Sequence, residues 1–371
     1  MVTIGDVGRL RSLLGIDVPV LQSGMGTVAG PELAAAVSNA GGLGILAALF
    51  LSEDDLRAQI RRVRELTDRP FGVNIWLHDE VRRSPDVSAI DADTVRSVQG
   101  FFNELRPRFE LEATMQGPPQ LPDLVDAALD VMVDEKIPVF SAGLGLPEPG
   151  LVDRFHHAGT KVIAMVVTSD EARRAVDNGV DVIVAQGAEA GGHRSVGQKR
   201  PLAEAVGVGT FSLVPDVVAT VGDEAPVVAA GGIVDGRGLA AAVVLGATGV
   251  LMGTRFVATV ESNANEVWKQ ALLAEQGETV VSDGFTGQWA RFLRNEYTDR
   301  WSAAEVSPPP GLLQAVMGSD LFAAAAREGD AQMQPLYAGA SFGQIRDLPG
   351  AGDVVRRIAA EAEVLLGSLR P

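Results

Sequence analysis

Short apolar runs recur along the chain, each followed by a glycine or polar break and then by a helical pattern. Eight such runs read as strands: 18–24, 42–49, 70–77, 138–143, 161–167, 180–187, 226–232 and 249–254. Their apolar positions are continuous rather than alternating, as expected of parallel strands covered on both faces. Between them, 31–40 carries Leu33, Ala36, Val37 and Ala40 on one helical face and stops at Gly41. Ser52 is placed to cap the next helix, with Glu53, Asp54 and Asp55 in its first turn and Leu56, Ile60 and Val63 as its buried positions. Ser169 is read as the cap of a helix ending at Gly179, and 236–245 as a helix closed by Gly246. Strand–helix alternation repeated eight times predicts a (β/α)8 TIM barrel. A doubly wound open sheet fits less well, because the first strand–helix turn lacks GxGxxG.

Two segments break the rhythm. Residues 78–133 form a long polar insertion containing MQGPPQLPD, and 261–335 carries helical patterns, Trp289, Trp301 and a proline run. The expected organisation is a barrel from 1–260 and 336–371, with a smaller, mainly helical lid at 261–335 over its mouth. The amphipathic stretch 353–366 should return as the last barrel helix.

Composition narrows the function. With 48 acidic and 31 basic residues the net charge is −17, which disfavours nucleic acid and anionic lipid surfaces. The absence of cysteine excludes disulfides, thiolate nucleophiles and Cys-ligated metal or iron–sulfur sites, and four histidines leave little for a metal. The opening residues lack the pattern of a signal peptide, and the longest apolar run, 41–51, is too short to span a bilayer. A cytoplasmic protein without membrane or nucleic-acid partners is expected; a homodimer is possible.

Barrel sites lie at the C-terminal ends of the strands. Those ends read Gly24-Met25-Gly26, Asn74, Gly143, Gln186-Gly187, Gly231-Gly232 and Gly253-Thr254. Backbone N–H groups at Gly231-Gly232 and Gly253-Thr254 suit a phosphate, although single glycines also serve tight turns. Asn74 and Gln186 are amides within apolar runs, suited to the polar edge of a flat heterocycle or to fixing a loop. Met25 is placed to pack against a ring system or in the core. In QGAEAGGHRS, 186–195, His193 follows Gly191 and Gly192 and is a candidate general base. His156 and His157 read as helix surface, and His78 follows the third strand with nothing to support a role.

The motifs PELAAAVSNAGGLG (31–44), FGVNIWL (71–77), QGAEAGGH (186–193), AAGGIVDGRG (229–238) and GATGVLMGTRF (246–256) resemble the nitronate monooxygenases, formerly called 2-nitropropane dioxygenases. Related FMN-dependent enoyl-acyl-carrier-protein reductases of the FabK type share them. The resemblance implies FMN bound by Gly24, Met25, Asn74, Gln186, Gly191, Gly192, Gly231, Gly232 and the Leu251, Met252, Gly253 and Thr254 backbone. It implies His193 as catalytic base, with a charged His193 favouring an anionic nitronate. The implied reaction is oxidation of alkyl nitronates or nitroalkanes by O2 to carbonyl compounds and nitrite, with no metal. The alternative is an FMN- and NAD(P)H-dependent enoyl-thioester reductase, whose acidic carrier protein would need a basic patch such as Arg291 with Arg294. Ser23-Gly24-Met25 and Tyr337-Ala338-Gly339-Ala340 depart from the monooxygenase pattern.

Overall fold

The computed structural model describes residues 5–199, 201–202, 207–274 and 277–368. Met1–Ile4, part of the stretch that lacks a signal-peptide pattern, lie outside the described residues. Eight parallel strands form the barrel: β1 (Val20–Gln22), β2 (Gly44–Ala47), β3 (Phe71–Trp76), β4 (Val139–Gly143), β5 (Lys161–Val166), β6 (Val182–Gln186), β8 (Val227–Ala230) and β9 (Gly249–Met252). A short strand β7 (Gly192–His193) intervenes in sequence but belongs to a second sheet. All eight barrel strands fall within the runs expected from sequence.

The ladder runs β1-β9-β8-β6-β5-β4-β3-β2. It closes where Leu21 bridges Leu43 in parallel. Beyond that bridge the side chain of Gln22 replaces missing ladder bonds: Ile45 N–H donates to its Oε1 (3.0 Å) and its Nε2 donates to Ile45 O (3.2 Å). A fully buried amide inside an apolar run thus has a structural explanation.

Side chains along each strand alternate between two apolar environments. Leu21, Ile45, Val139, Ile163, Val182, Val184, Val228 and Leu251 fill the barrel interior, with Leu10 and Leu14 of the helix Val7–Leu14 packed against them. Val20, Val73, Phe140, Val162, Ile183, Val227, Val250 and Met252 face outward against the helices. Both faces are buried, which is why the period of two is invisible in the sequence.

The helices cover the barrel as expected, with two corrections at their ends. The helix Ser169–Asp177 is capped by Thr168, whose hydroxyl accepts from Glu171 N, so Ser169 is its first residue rather than its cap. The helix Gly236–Val244 starts where read, capped by Asp235, whose carboxylate accepts from Arg237 N and Gly238 N, and ends one residue earlier than read. The helix Ala351–Ser368 packs against Gly236–Val244 and Pro31–Asn39, the position of the eighth barrel helix.

Residues 261–335 contain helices Glu266–Leu272, Glu296–Ala303, Leu313–Met317 and Ser319–Glu328. They also contain a hairpin that the pattern did not reveal, β10 (Thr279–Ser282) and β11 (Ala290–Leu293). The insertion contributes helix Ala92–Leu105, and its Val98, Phe101, Phe102 and Leu105 share one apolar cluster with Phe285, Tyr297, Trp301 and Leu321. Arg106, 1% exposed, ties the two segments: Nε donates to Asp320 (2.8 Å), Nη1 to Gln99 Oε1 (2.9 Å) and Nη2 to Met317 O (3.2 Å). Removing the guanidinium leaves buried acceptors without donors. Arg106→Met is expected to lower stability by about 2 to 3 kcal/mol, read as a lower denaturation midpoint in urea.

Candidate active site

The C-terminal ends of β3, β6, β8 and β9 bring most of the expected residues to one mouth. Asn74 points inward from β3, and its Nδ2 donates to Ser141 O (2.9 Å) and Ser141 Oγ (3.0 Å) on β4. Its Oδ1 accepts no hydrogen bond among the described residues. Gln186 also points inward, and both ends of its amide are engaged: Nε2 donates to His193 O (2.9 Å), and Ser195 N donates to Oε1 (2.9 Å). Gln186 therefore fixes the 187–195 loop from below.

The same loop is clamped from above. β7 pairs antiparallel with β11, placing Ala290 opposite His193 and Arg291 opposite Gly192. Arg194 lies buried beneath, its Nη1 donating to Gly187 O (2.7 Å). Burial, with Arg291 nearby, brings its guanidinium down to about 10.

His193 is consequently fixed at the mouth, partly exposed, in an aromatic setting. The Trp76 ring on β3 stands 4.6 Å away edge-on, and Tyr337 lies 5.4 Å away. Thr286 Oγ1 lies 2.9 Å from Nε2. Burial first, and His78 second, push the imidazole down to about 3. So lowered, the imidazole rests neutral near pH 7 and would become cationic only on taking up a proton. His78 is itself 1% exposed. Its Nδ1 accepts from Glu80 N (3.2 Å), so its proton sits on Nε2, a buried atom without a partner.

The glycines divide into two groups. A Cβ at Gly24 would fall 2.4 Å from Asn74 Cβ, and one at Gly191 would fall 2.4 Å from Gly339 N. These two are required by close packing. Gly231 and Gly232 have φ of +106° and +72°, which side chains disfavour. The N–H groups of Gly231, Gly232, Gly253 and Thr254 donate to nothing else among the described residues. They lie at the ends of the neighbouring strands β8 and β9, partly exposed, and Ser341 Oγ lies beside Gly232. Free amides converging from two strand ends fit a phosphate group. Glu189 borders this cradle and accepts from Thr210 N (2.8 Å), capping the helix Thr210–Val221. Gly192, with φ +74°, turns the loop into β7. Leu251 faces the interior, whereas the Met252 side chain faces outward into the helix layer. Met25 Sδ lies against Gly253, 3.4 Å from where a Cβ there would stand.

Other expectations resolve differently. Arg291 and Arg294 form no free basic patch: Arg291 donates to Ala188 O (2.9 Å) and Thr279 Oγ1 (3.0 Å), and Arg294 pairs with Asp299 and Glu278. His156 pairs with Asp181 (2.7 Å) on the barrel surface, as read. The sequence assigns no role to Trp76 or Thr286, and marks Tyr337 only as part of a segment that departs from the monooxygenase pattern. Trp76 carries a signal, being an aromatic at a strand end, and Tyr337 carries one in the departure at 337–340; Thr286 arrives from a distant segment and carries none. No group of three or more His, Asp or Glu among the described residues is placed to hold a metal ion. No helix among them is long and apolar enough to cross a membrane.

The closed parallel barrel, with an imidazole and a cluster of free amides at its C-terminal mouth, defines a (β/α)8 barrel with a candidate site at that mouth. Residues 8–361 match the family described as nitronate monooxygenase. A probable nitronate monooxygenase of Staphylococcus aureus strain JH9 is 35% identical over 334 residues, covering 90% of this chain and 91% of the relative. One from Staphylococcus saprophyticus is 35% identical over 339 residues, with the same coverage. Among solved structures, a nitroalkane oxidase from Streptomyces ansochromogenes superposes with a TM-score of 0.87 at 35% identity, covering 98% of this chain and 100% of the other. FabK from Thermotoga maritima gives 0.74 at 33% identity, covering 98% of each chain. The chain belongs to the nitronate monooxygenase family, and it is an oxidoreductase of that type.

The depressed His193 has a consequence for stability. Between pH 6.5 and about 3 the unfolded chain binds a proton at this site that the folded chain refuses. Folding stability at this site therefore falls as pH drops through that window. His193→Gln is expected to flatten that fall relative to the parent, measured as the denaturation midpoint between pH 7 and 4.

Proposed function

We propose that the protein is an FMN-dependent nitronate monooxygenase, oxidising alkyl nitronates and nitroalkanes with O2 to carbonyl compounds and nitrite. The observation that carries this reading is the uncharged His193 held at the mouth alongside the free amides at the ends of β8 and β9. Gly231, Gly232, Gly253 and Thr254 would take the FMN phosphate, with Asn74 Oδ1 and Met25 near the ring. Gln186 and Gly191 would contribute mainly by shaping the loop, and Gly24 by admitting Asn74. Bound flavin supplies the redox chemistry with O2.

The chain's own part is to bind the nitro compound beside His193, exclude water and accept a proton. A neutral imidazole has the free lone pair that a base needs. Burial lowers its proton affinity, but transfer from a nitroalkane creates the nitronate anion beside the imidazolium. In a water-poor mouth their attraction offsets much of the burial penalty. Trp76 and Tyr337 wall the site, and burial pushes the Tyr337 phenol up, keeping it protonated as a donor.

An enoyl-thioester reductase is the second reading, favoured by the FabK superposition. The engagement of Arg291 with Ala188 O and Thr279 Oγ1, and of Arg294 with Glu278 and Asp299, weakens it, because an acidic carrier would find no free basic patch there.

The purified protein is expected to be yellow and to release FMN on denaturation; a colourless protein that takes up no flavin would refute the cofactor. Anaerobic bleaching by NADPH alone, without response to nitronate, would favour the reductase. His193→Ala is expected to retain flavin and to slow neutral nitroalkanes by roughly 10²- to 10⁴-fold. Preformed nitronates, which need no base, should lose far less in steady-state oxygen uptake. Equal loss on both would sink the base role.

A further inference from the structure

The contact between His193 and the lid has a directional logic. Thr286 Oγ1 has three neighbours: His193 Nε2 at 2.9 Å, Gln288 O at 3.3 Å and Gln288 N at 3.3 Å. The Gln288 N–H can only donate, so it takes one lone pair of the hydroxyl oxygen. The hydroxyl has one proton to give, and both the imidazole and the Gln288 carbonyl could receive it. If the proton goes to Nε2, the contact to the carbonyl is lost. If His193 carries its proton on Nε2 and donates to Oγ1, the hydroxyl is free to donate to Gln288 O. Only this second arrangement satisfies all three contacts. Nothing among the described residues hydrogen-bonds Nδ1.

We infer that Thr286 is a positioning residue that fixes His193 as its Nε2–H tautomer, leaving Nδ1 as the atom that accepts the substrate proton. The inference rests on the base role proposed for His193. In that step the α-C–H bond of the nitroalkane breaks and its electron pair forms the C=N bond of the nitronate. One N=O electron pair moves onto oxygen, and the proton goes to Nδ1. The resulting imidazolium still donates from Nε2 to Thr286, so no second proton moves.

The lid loop holds Thr286 rigidly enough for this. Gly287 N donates to Asp283 O (2.7 Å), closing the turn. Gly284 O accepts from Tyr297 Oη (2.7 Å) and Gln314 Nε2 (2.9 Å), and Gly311 O accepts from Gln288 Nε2 (3.0 Å). Every one of these anchors lies in the lid, while the histidine enters on the barrel loop. The tautomer of the base is therefore set only when lid and barrel are packed together, as the β7–β11 pairing requires.

The test combines ¹⁵N-histidine NMR with substrate discrimination in the flavin-loaded protein. The His193 signals are identified by their loss in His193→Ala, among only four histidines. The expected parent spectrum shows Nε2 protonated and Nδ1 bare. Thr286→Val, nearly isosteric, should shift the ring toward the other tautomer. It should slow neutral nitroalkanes by roughly 10- to 100-fold, leaving preformed nitronates within about threefold. Thr286→Ser should restore both the spectrum and the rate. A parent His193 protonated on Nδ1, an unchanged Thr286→Val protein, or equal loss on both substrates would overturn the inference. If His193→Ala fails to separate the two substrates, the base role falls. The spectra still decide whether Thr286 sets the tautomer.

Discussion

The site depends on one loop being held from two directions. The segment 187–195 leaves the barrel at β6, where the Gln186 amide grips the His193 carbonyl and the Ser195 N–H. Its far side is a strand of another sheet, with Gly192 and His193 paired to Arg291 and Ala290 of the lid. A loop with two adjacent glycines would otherwise lose considerable backbone entropy on ordering. The two sets of hydrogen bonds replace freedom with a single placement of the imidazole.

That placement accounts for the electrostatics. Trp76, Tyr337 and the lid loop crowd the ring and shield much of it from solvent, and His78 stands close enough to oppose a second positive charge. The result is a neutral imidazole in a protein of strongly acidic composition. Surface charge and site charge are decoupled here, because the ring responds to burial and near neighbours while the net charge resides in solvated side chains.

The two ends of the site differ in how they are built. The amide cluster at the ends of β8 and β9 belongs to the barrel alone, and its glycines adopt backbone conformations that any relative with the same turns could share. The end proposed to react is composite. Trp76 and His193 come from the barrel, Thr286 from the lid hairpin and Tyr337 from the chain returning to the barrel. The insertion contributes indirectly, through the apolar cluster and the Arg106 network that brace the lid.

The sequence by itself determined the eight strands, the barrel, the glycine-rich strand ends and the motif containing His193. These are local features: burial on both faces leaves apolar runs, and turns that need left-handed backbone leave glycines. It also pointed to Asn74 and Gln186 and left open whether each amide meets a ligand or fixes a loop; the structure spends both ends of Gln186 on the loop. The tertiary structure decided the strand pairing of His193, its uncharged state, the contact with Thr286 and the commitment of Arg291 and Arg294. The pairing of His193, its contact with Thr286 and the Arg291 bond to Ala188 O join segments about a hundred residues apart, where the composition of one segment carries no record of what packs against it. The β10–β11 hairpin escaped notice for a related reason: its strands are four residues each, too short for a period to show.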